Sequence, residues 1–295
     1  MTKSVYIVAV ESSADHVGAG LIKSIKKKSS AIKLLGVGGP FMETEGVISR
    51  IDTTGLAIVG FVEAIKSYPK IMISIKSTVN DILLTSPDVV VLIDSWGFMI
   101  RVAKKLKKSG YKGKIVKYIA PQVWAMRRKR SKVLSRYTDH LLSIHDFESH
   151  YFETNGLSVT YVGNPVFDVK NIFQKKDTAY KNLGISPSDK VLAVFFGSRS
   201  SEINNLIEPF IETVHKLIAI WPELRVISPV SGAVIKDIEL AKLHDKRLDS
   251  ITFVEEKLKD SVFNISTAAL ACSGTVTTQL ALAGVPTVVA YRLNP

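Results

Sequence analysis

The sequence predicts an α/β protein made of two Rossmann-like, doubly wound parallel-sheet domains. Apolar runs alternate along the chain with segments whose apolar residues recur at helical spacing. The runs are almost continuously apolar, which is typical of parallel strands covered on both faces by helices. The pattern breaks once, near Gly163-Asn164-Pro165, and then starts again. We therefore predict two domains of the same class rather than one long sheet.

Residues 1–165 form the first predicted domain. Val5–Val10 is a buried strand, and the following residues Val17, Leu21, Ile22 and Ile25 lie on one helix face. The remaining predicted strands are Asp88–Ile93, Ile115–Ile119 and Leu141–Ile144, with a helix after each of the first two. This order of elements favours a doubly wound sheet.

Residues 166–189 are polar and rich in turn signals, so we predict a linker there and a second domain over residues 190–295. Its predicted strands are Val191–Phe195, Leu224–Ile227, Ile251–Val254, Ala268–Ala271 and Thr287–Ala290. A helix would normally follow the final strand and cover its face of the sheet. We therefore expect the C-terminal domain to be truncated.

Composition favours an anionic partner and argues against a disulfide-bonded, zinc-binding or membrane-spanning protein. Of the 295 residues, 46% are hydrophobic and 22% are charged, and the formal net charge is +12, which favours anionic partners such as nucleic acid, anionic lipid or phosphorylated metabolites. The single cysteine, Cys272, excludes an internal disulfide framework and fits a reducing compartment. The six histidines lack the spacing of zinc motifs, so we predict no metal site. No segment has eighteen uninterrupted apolar residues, so we predict no transmembrane helix.

Two strand-to-helix turns in the second half suit an anion. Gly197-Ser198-Arg199 ends one apolar run, and Ser273-Gly274-Thr275 ends another. The N-terminus of a helix presents free N–H groups and a positive dipole end, and an arginine adds a fork of donors that suits phosphate. The sequence therefore predicts a phosphorylated ligand in the second domain.

Carboxylates follow two strands of the first half. Asp94 comes directly after Val89–Ile93, where it could serve as a general base or merely cap the next helix. Glu11 and Asp15 follow the first strand, and Gly18 lies in the helix after them. Glycine at position 18 would allow a ligand to approach the backbone closely. The structural alternative is that Ser12, Ser13 or Asp15 simply caps the helix.

Two basic segments have competing interpretations. Arg127–Arg130, with Trp124 nearby, could bind nucleic acid or anionic lipid, or could be a solvated helix face. Phe61–Lys76 mixes apolar residues with lysines, and is either an interfacial membrane helix or an amphipathic helix packed on the sheet.

Taken together, the motifs resemble the lipid-A-disaccharide synthase family, glycosyltransferases of the GT-B fold. The matching pieces occur in the family's order along nearly the whole chain. They are Glu11–Asp15 with Gly18; 36–46; Val59–Glu63; Pro87–Asp94; Ala120–Ala125 with Arg127 and Arg130; Val162–Pro165; Gly197–Arg199 with Glu202; Ser273–Thr275; and Pro286–Pro295.

The resemblance implies transfer of a diacylated glucosamine from UDP to the 6-hydroxyl of an acylated glucosamine 1-phosphate, without a metal or another cofactor. It implies that Asp94 is the catalytic base and that Arg199 stabilises the diphosphate. Donor-binding positions would be Gly197, Ser198, Ser273, Gly274, Thr275 and Gln279, the last standing where the family has glutamate. Acceptor-side positions would be Glu11, Asp15, Gly18, Glu63 and Trp124.

The resemblance also implies a place of action. Both substrates would be lipids, so a cytoplasmic protein held peripherally at the anionic inner membrane of a Gram-negative bacterium is expected. Family members continue past the position of Pro295. A catalytically impaired relative that only binds UDP or lipid therefore remains an alternative, and so, more remotely, does a basic nucleic-acid-binding protein.

Overall fold

A computed structural model of the protein describes residues 3–51, 61–168, 176–232 and 234–292, without the side chains of residues 61–67 and 168. The chain divides into two compact units, Met1–Pro165 and Val166–Pro295. Each unit contains one parallel sheet with helices packed against it. The predicted pair of parallel-sheet α/β domains is confirmed.

The sheet of the first unit has six strands in the order β2-β1-β3-β4-β5-β6. They are β1 (Ser4–Val8), β2 (Lys33–Val37), β3 (Val89–Ile93), β4 (Lys114–Tyr118), β5 (His140–Ser143) and β6 (Ser158–Tyr161). Every pairing is parallel, for example Tyr6 with Val90 and Val91 with Val116. The central strands are almost fully buried, as their apolar sequences require.

Helices cover both faces of this sheet. They are α1 (Ser12–Lys28), α2 (Pro40–Thr44), α3 (Phe61–Thr85), α4 (Trp96–Lys108), α5 (Lys129–Tyr137) and α6 (Ser149–Glu153). In α4 the apolar positions recur every three or four residues and are buried, while three lysines occupy the last turn. Cations at a helix C-terminus are stabilised by the helix dipole, so this sequence favours both the helix and its packing.

The helix α3 settles part of the question raised by Phe61–Lys76. Ile71 and Ile75 are buried in the core with β1 and β3, and Met72 packs against the same cluster. Tyr68 and Ile73 are exposed. The described part of this segment therefore packs on the sheet through one face, which is the amphipathic-helix alternative.

The sheet of the second unit has five parallel strands in the order β11-β10-β7-β8-β9. They are β7 (Val191–Phe195), β8 (Arg225–Val230), β9 (Thr252–Glu255), β10 (Ala268–Cys272) and β11 (Thr287–Ala290). β7 is fully buried at the centre, whereas the edge strand β11 exposes Val288 and Val289.

The helices of this unit include one where the sequence predicted a linker. They are α7 (Lys176–Leu183), α8 (Ser200–Ile220), α9 (Ile235–His244), α10 (Lys259–Ile265) and α11 (Thr275–Leu282). Ala179 is fully buried against the cluster that contains Val262 and Phe263. Residues 176–183 are thus a packed helix of the second unit, because a few apolar positions in a polar segment suffice to bury one helical stripe.

The hydroxyl of Tyr6 generates a first prediction. Tyr6 is fully buried and its Oη donates to Asp81 Oδ2 at 2.5 Å, while Asp81 also pairs with Arg50 at 3.5 Å. Burial, reinforced by Asp81, raises the pKa of the Tyr6 phenol well above its ordinary value. Tyr6→Phe should lower the free energy of unfolding by about 1–3 kcal/mol, because Asp81 loses a buried donor. Urea denaturation measures the change.

The exposed Tyr161 offers a matched control on β6. Tyr161→Phe should change stability by no more than about 0.5 kcal/mol. Equal effects of the two substitutions would show that the Tyr6 hydrogen bond contributes nothing specific.

Candidate functional site

In the first unit, the predicted carboxylates lie at the point where the sheet reverses its order. β1 has β2 on one side and β3 on the other, so the chain changes direction between β1 and β3. Ligands of open α/β sheets bind at the carboxyl ends of strands at such a point. Glu11 follows β1 and Asp94 follows β3, so the topology brings these two turns together.

The turn at Asp94 and Ser95 has a strained backbone. Their φ angles are 49° and 37°, in the left-handed region that residues other than glycine seldom adopt. Two consecutive residues there cost on the order of 1–3 kcal/mol each, so the surroundings must hold them. The Asp94 N–H donates to Tyr118 O at 2.9 Å, and Ser95 Oγ donates to Glu11 Oε1 at 2.6 Å. The backbone of the turn that bears Asp94 is thus fixed at the end of the strand.

A buried lysine supports the same turn from β4. Lys117 is 2% exposed, and its Nζ donates to the carbonyl oxygens of Asp94 at 2.7 Å, Tyr118 at 3.0 Å and Leu92 at 3.3 Å. Burial lowers the pKa of Lys117 to about 8, although the carboxylates of Asp94 and Glu11 oppose the change. The ammonium is therefore a fixed positive charge beneath the Asp94 turn at neutral pH.

The other predicted residues near the first strand have structural contacts. Asp15 is buried and accepts hydrogen bonds from the N–H groups of Gly39 at 2.8 Å, Phe41 at 2.9 Å and Met42 at 3.1 Å, so it binds the first turn of α2. A Cβ added to Gly18 would lie 2.6 Å from Met42 Sδ. The close approach that Gly18 permits is therefore an approach of α1 to α2, within the protein.

Trp124 makes its hydrogen bond to Glu148, which follows the strand β5. Trp124 is 39% exposed, and its Nε1 donates to Glu148 Oε1 at 3.1 Å. Glu148 is buried and also accepts from Ser143 Oγ at 2.9 Å. The indole is thus anchored to β5 through a buried carboxylate. Glu63 lies in α3, and its side chain is outside the described residues.

In the second unit, the two predicted anion-binding turns also lie at a reversal of strand order. The chain runs from β7 to β8 and β9 on one side, and returns to β10 and β11 on the other. Gly197–Arg199 follows β7 and Ser273–Thr275 follows β10, the two strands that flank the reversal. Arg199 is the N-cap of α8 and Gly274 is the N-cap of α11. Two helix N-termini therefore converge on one edge of the sheet.

A buried glutamate organises the first of these turns. Glu202 is 7% exposed; it accepts from the Ser198 N–H at 2.9 Å and from the Arg199 guanidinium at 3.2 Å. Gly197 has a φ of 117°, and a Cβ there would lie 2.5 Å from Glu202 Oε2. Only glycine fits, because both the backbone angle and the carboxylate exclude a side chain.

Cys272, directly before the second turn, interacts electrostatically with residues at the first turn. Burial raises the pKa of the Cys272 thiol to about 11, with Glu202 adding to the increase and Arg199 opposing it. Ser273, Gly274 and Thr275 are exposed, whereas Gln279 lies one turn further along α11 and is 7% exposed. The exposed turn, rather than the glutamine, forms the accessible surface at this edge.

Three supporting residues escaped assignment from sequence. A lysine within the apolar segment Lys114–Tyr118 was the available signal for Lys117, but its burial depends on the neighbouring strands. Ser95 gave no signal, since serine after a strand is common. Glu202 belongs to the motif around Arg199, but its contact with the turn before it is visible only in the structure.

None of the helices in the described ranges is long and apolar enough to cross a membrane. Within those same ranges, no group of three or more His, Cys, Asp or Glu side chains is placed to hold a metal ion.

Comparison with known proteins shows which family the chain resembles. The family model described as lipid-A-disaccharide synthetase matches residues 5–295. A lipid-A-disaccharide synthase of Paramagnetospirillum magneticum is 36% identical over 294 residues, which cover 99% of this chain and 74% of that protein. One from Trichlorobacter lovleyi is 34% identical over 293 residues, 99% of this chain and 76% of that protein.

Solved structures agree on the fold. A structure of S. aureus MnaA with UDP superposes with a TM-score of 0.68 at 15% identity, covering 97% of this chain and 78% of that one. At this identity the likeness establishes the GT-B type of fold alone.

The pKa of Lys117 predicts a specific pH dependence of stability. Its folded pKa of about 8 lies below its ordinary value of 10.5, so between these values the unfolded chain binds more protons. The wild-type protein should therefore gain stability relative to Lys117→Met as the pH rises through this window, by on the order of 2–3 kcal/mol. Urea denaturation of both proteins at about pH 7 and about pH 10 measures the gain. A difference that does not change with pH would contradict it.

Proposed function

The chain belongs to the lipid-A-disaccharide synthase family, and from this premise we propose that it transfers a 2,3-diacylglucosamine unit from UDP to the 6-hydroxyl of 2,3-diacylglucosamine 1-phosphate. The family makes the chain a glycosyltransferase of lipid A biosynthesis. The proposal concerns the two substrates, the residues that act on them and the competence of this chain to do so. The products of this transfer are the lipid A disaccharide 1-phosphate and UDP.

One observation carries the proposal. Each sheet has its family-matching turn at its own reversal of strand order, where α/β proteins bind ligands. The first unit presents a carboxylate there, Asp94, and the second presents a cation and two helix N-termini at Arg199 and Gly274. A base and an anion-stabilising site are the two functions that an inverting sugar transfer requires.

On the acceptor side, we assign Asp94 as the general base. Its carboxylate takes the proton of the sugar hydroxyl while the hydroxyl oxygen bonds to the anomeric carbon of the donor. The bond from that carbon to the UDP oxygen breaks, and the electron pair leaves with UDP. The strained turn, held by Lys117 and Glu11, keeps the backbone at Asp94 in one conformation, so less movement is needed to place the base.

On the donor side, we assign the diphosphate to the edge formed by Gly197–Arg199 and Ser273–Thr275. Negative charge grows on the departing diphosphate, and N–H groups at the starts of α8 and α11 together with the Arg199 guanidinium would stabilise it. UDP is the ligand named for the S. aureus MnaA structure of the same fold, which supports this choice of nucleotide.

We further propose that the protein works while held peripherally at the cytoplasmic face of the inner membrane of a Gram-negative bacterium. Acylated substrates reside in a bilayer, and a net charge of +12 favours an anionic lipid surface. Such attraction is screened by salt, so vesicle binding should weaken as ionic strength rises.

Asp94→Asn should reduce disaccharide formation about 10²–10⁴-fold and leave UDP binding unchanged, because the amide keeps the shape of the carboxylate but cannot accept the proton. Turnover with synthetic donor and acceptor, and calorimetric titration with UDP, measure the two effects. Asp146→Asn, at an exposed aspartate of the same unit, is the control and should remain fully active. Unchanged turnover in Asp94→Asn would reject the assignment.

Arg199→Ala should weaken UDP binding or lower turnover about tenfold or more, because a charge-assisted contact to phosphate is lost. Arg225→Ala is the matched control: it is an arginine of the same unit, 64% exposed at its side chain and paired with Asp189. It should behave as wild type. Indistinguishable UDP affinities of the two variants would remove the diphosphate role of Arg199.

A further inference from the structure

The run of basic residues at 127–130 does not lie on a featureless solvated face. It forms one wall of an open pocket of about 700 Å³ in the first unit, called here the basic pocket. α4 contributes Trp96, Ile100 and Lys104 to the lining, and α5 contributes Val133. α4 begins two residues after Asp94, so the pocket adjoins the same strand end as the proposed base.

The rim of the pocket concentrates positive charge. Lys104 and the four residues Arg127–Arg130 supply five cations, and none of them forms a salt bridge within the described part of the chain. Like charges held this close repel each other. Burial, together with the neighbouring Arg127, lowers the pKa of Arg130. An anion bound here would offset the repulsion between these cations.

The floor of the pocket is apolar. The Arg130 guanidinium lies over the Trp96 ring at 5.1 Å from its centroid, and Ile100 and Val133 continue the surface. Trp96 and Val133 pack on the cluster that contains Leu134 and Phe152. The floor is therefore rigid, and it can cover hydrocarbon as well as the face of a sugar.

The backbone at the rim is also strained. Arg127 has a φ of 55°, in the left-handed region, although it is not a glycine. Such strain is typical of positions where a side chain is held for a ligand. Here it fixes the start of the basic run beside the pocket.

We propose that the basic pocket binds the phosphate of the acylated acceptor sugar, with part of its acyl or sugar surface on the Trp96 floor. The cations match a phosphate dianion, and the floor matches the apolar part of the same molecule. A purely ionic ligand would leave the floor exposed to water, and a purely apolar one would leave five cations without a counter-charge. This inference rests on the proposed function, since it names the place of that reaction's acceptor.

The test measures acceptor binding and KM separately from the donor. The probe is 2,3-diacylglucosamine 1-phosphate in neutral detergent micelles, compared with its phosphate-free analogue and with glucosamine 1-phosphate. The variants are Arg127→Gln with Arg128→Gln, Arg130→Gln and Arg130→Lys. The control is Arg136→Gln, a basic residue of α5 that lies over Tyr137 and does not line the pocket.

The expected result is an increase of about tenfold or more in the acceptor Kd and KM for the glutamine variants of the pocket, with the donor KM unchanged. Arg130→Lys should recover part of the affinity, and the phosphate-free analogue should bind all variants equally. Trp96→Ala should reduce the advantage of the acylated probe over glucosamine 1-phosphate. Because Arg127 and Arg128 are exposed, their variants stay folded and keep the test decisive.

Several results would overturn the proposal. One is equal acceptor affinity of the pocket variants and Arg136→Gln. Another is loss of binding only to phosphatidylglycerol vesicles, or only to an oligonucleotide, which would assign the cations to a membrane surface or to nucleic acid. If the wild type forms no disaccharide but binds the acceptor through the pocket, the proposed function fails and the pocket stands. If the wild type forms disaccharide and Arg130→Gln has an unchanged acceptor KM, the proposed role of the pocket fails and the proposed function stands.

Discussion

A buried ammonium group supports the backbone at the carboxyl ends of the central strands β3 and β4 in the first sheet. Lys117 places its Nζ among three carbonyl oxygens, including that of Asp94, and so supports a turn whose backbone is unfavourable by itself. Burying a charge is costly unless hydrogen bonds and opposite charges surround it. Here the carbonyls accept the hydrogen bonds, and the charges of Asp94 and Glu11 offset part of the cost, so burial still lowers the pKa of Lys117. The position of the candidate base thus depends on a residue from a different strand.

The second unit uses the opposite charge for a similar purpose. Glu202 is a buried carboxylate that accepts from the backbone at Ser198 and from the side chain of Arg199. Gly197 is required beside it, since any side chain would collide with the carboxylate. In both units a buried charged group fixes the turn that follows a central strand. A fixed turn loses less conformational entropy when it binds a ligand, which favours tight and specific recognition.

The positive charge of the protein is concentrated at particular sites. A net charge of +12 by itself favours any anion. Five of these cations surround a pocket whose floor is apolar, and Arg199 lies at the start of α8. The pocket cations form no salt bridge within the described part of the chain, so they repel one another, whereas Arg199 pairs with Glu202 at 3.2 Å. Two separate cationic sites suit the proposed reaction, in which both substrates carry phosphate.

The sequence alone determined the fold class, the strands near the site and the turns that follow them, because apolar periodicity and glycine turns are local signals. The roles of Asp94, Arg199 and the two turns that suit an anion are predictions from these signals and from the order of the family's motifs. Their support could not be found in this way. Lys117 and Ser95 act through contacts with residues that are distant in sequence, and these contacts exist only after the strands pair. Glu202 acts through a local contact with the turn before α8, which the structure shows.

The tertiary structure also decided between alternatives that the sequence had left open, and it corrected the predicted linker. Asp15 and Gly18 make contacts inside the protein, α7 is a packed helix where a linker was predicted, and part of α3 is buried against the sheet. Short polar segments and mixed apolar-basic segments are compatible with several environments, so local pattern cannot choose among them. The sheet topology makes the choice. It determines which turns share an edge, which faces are covered and which cations line a common pocket.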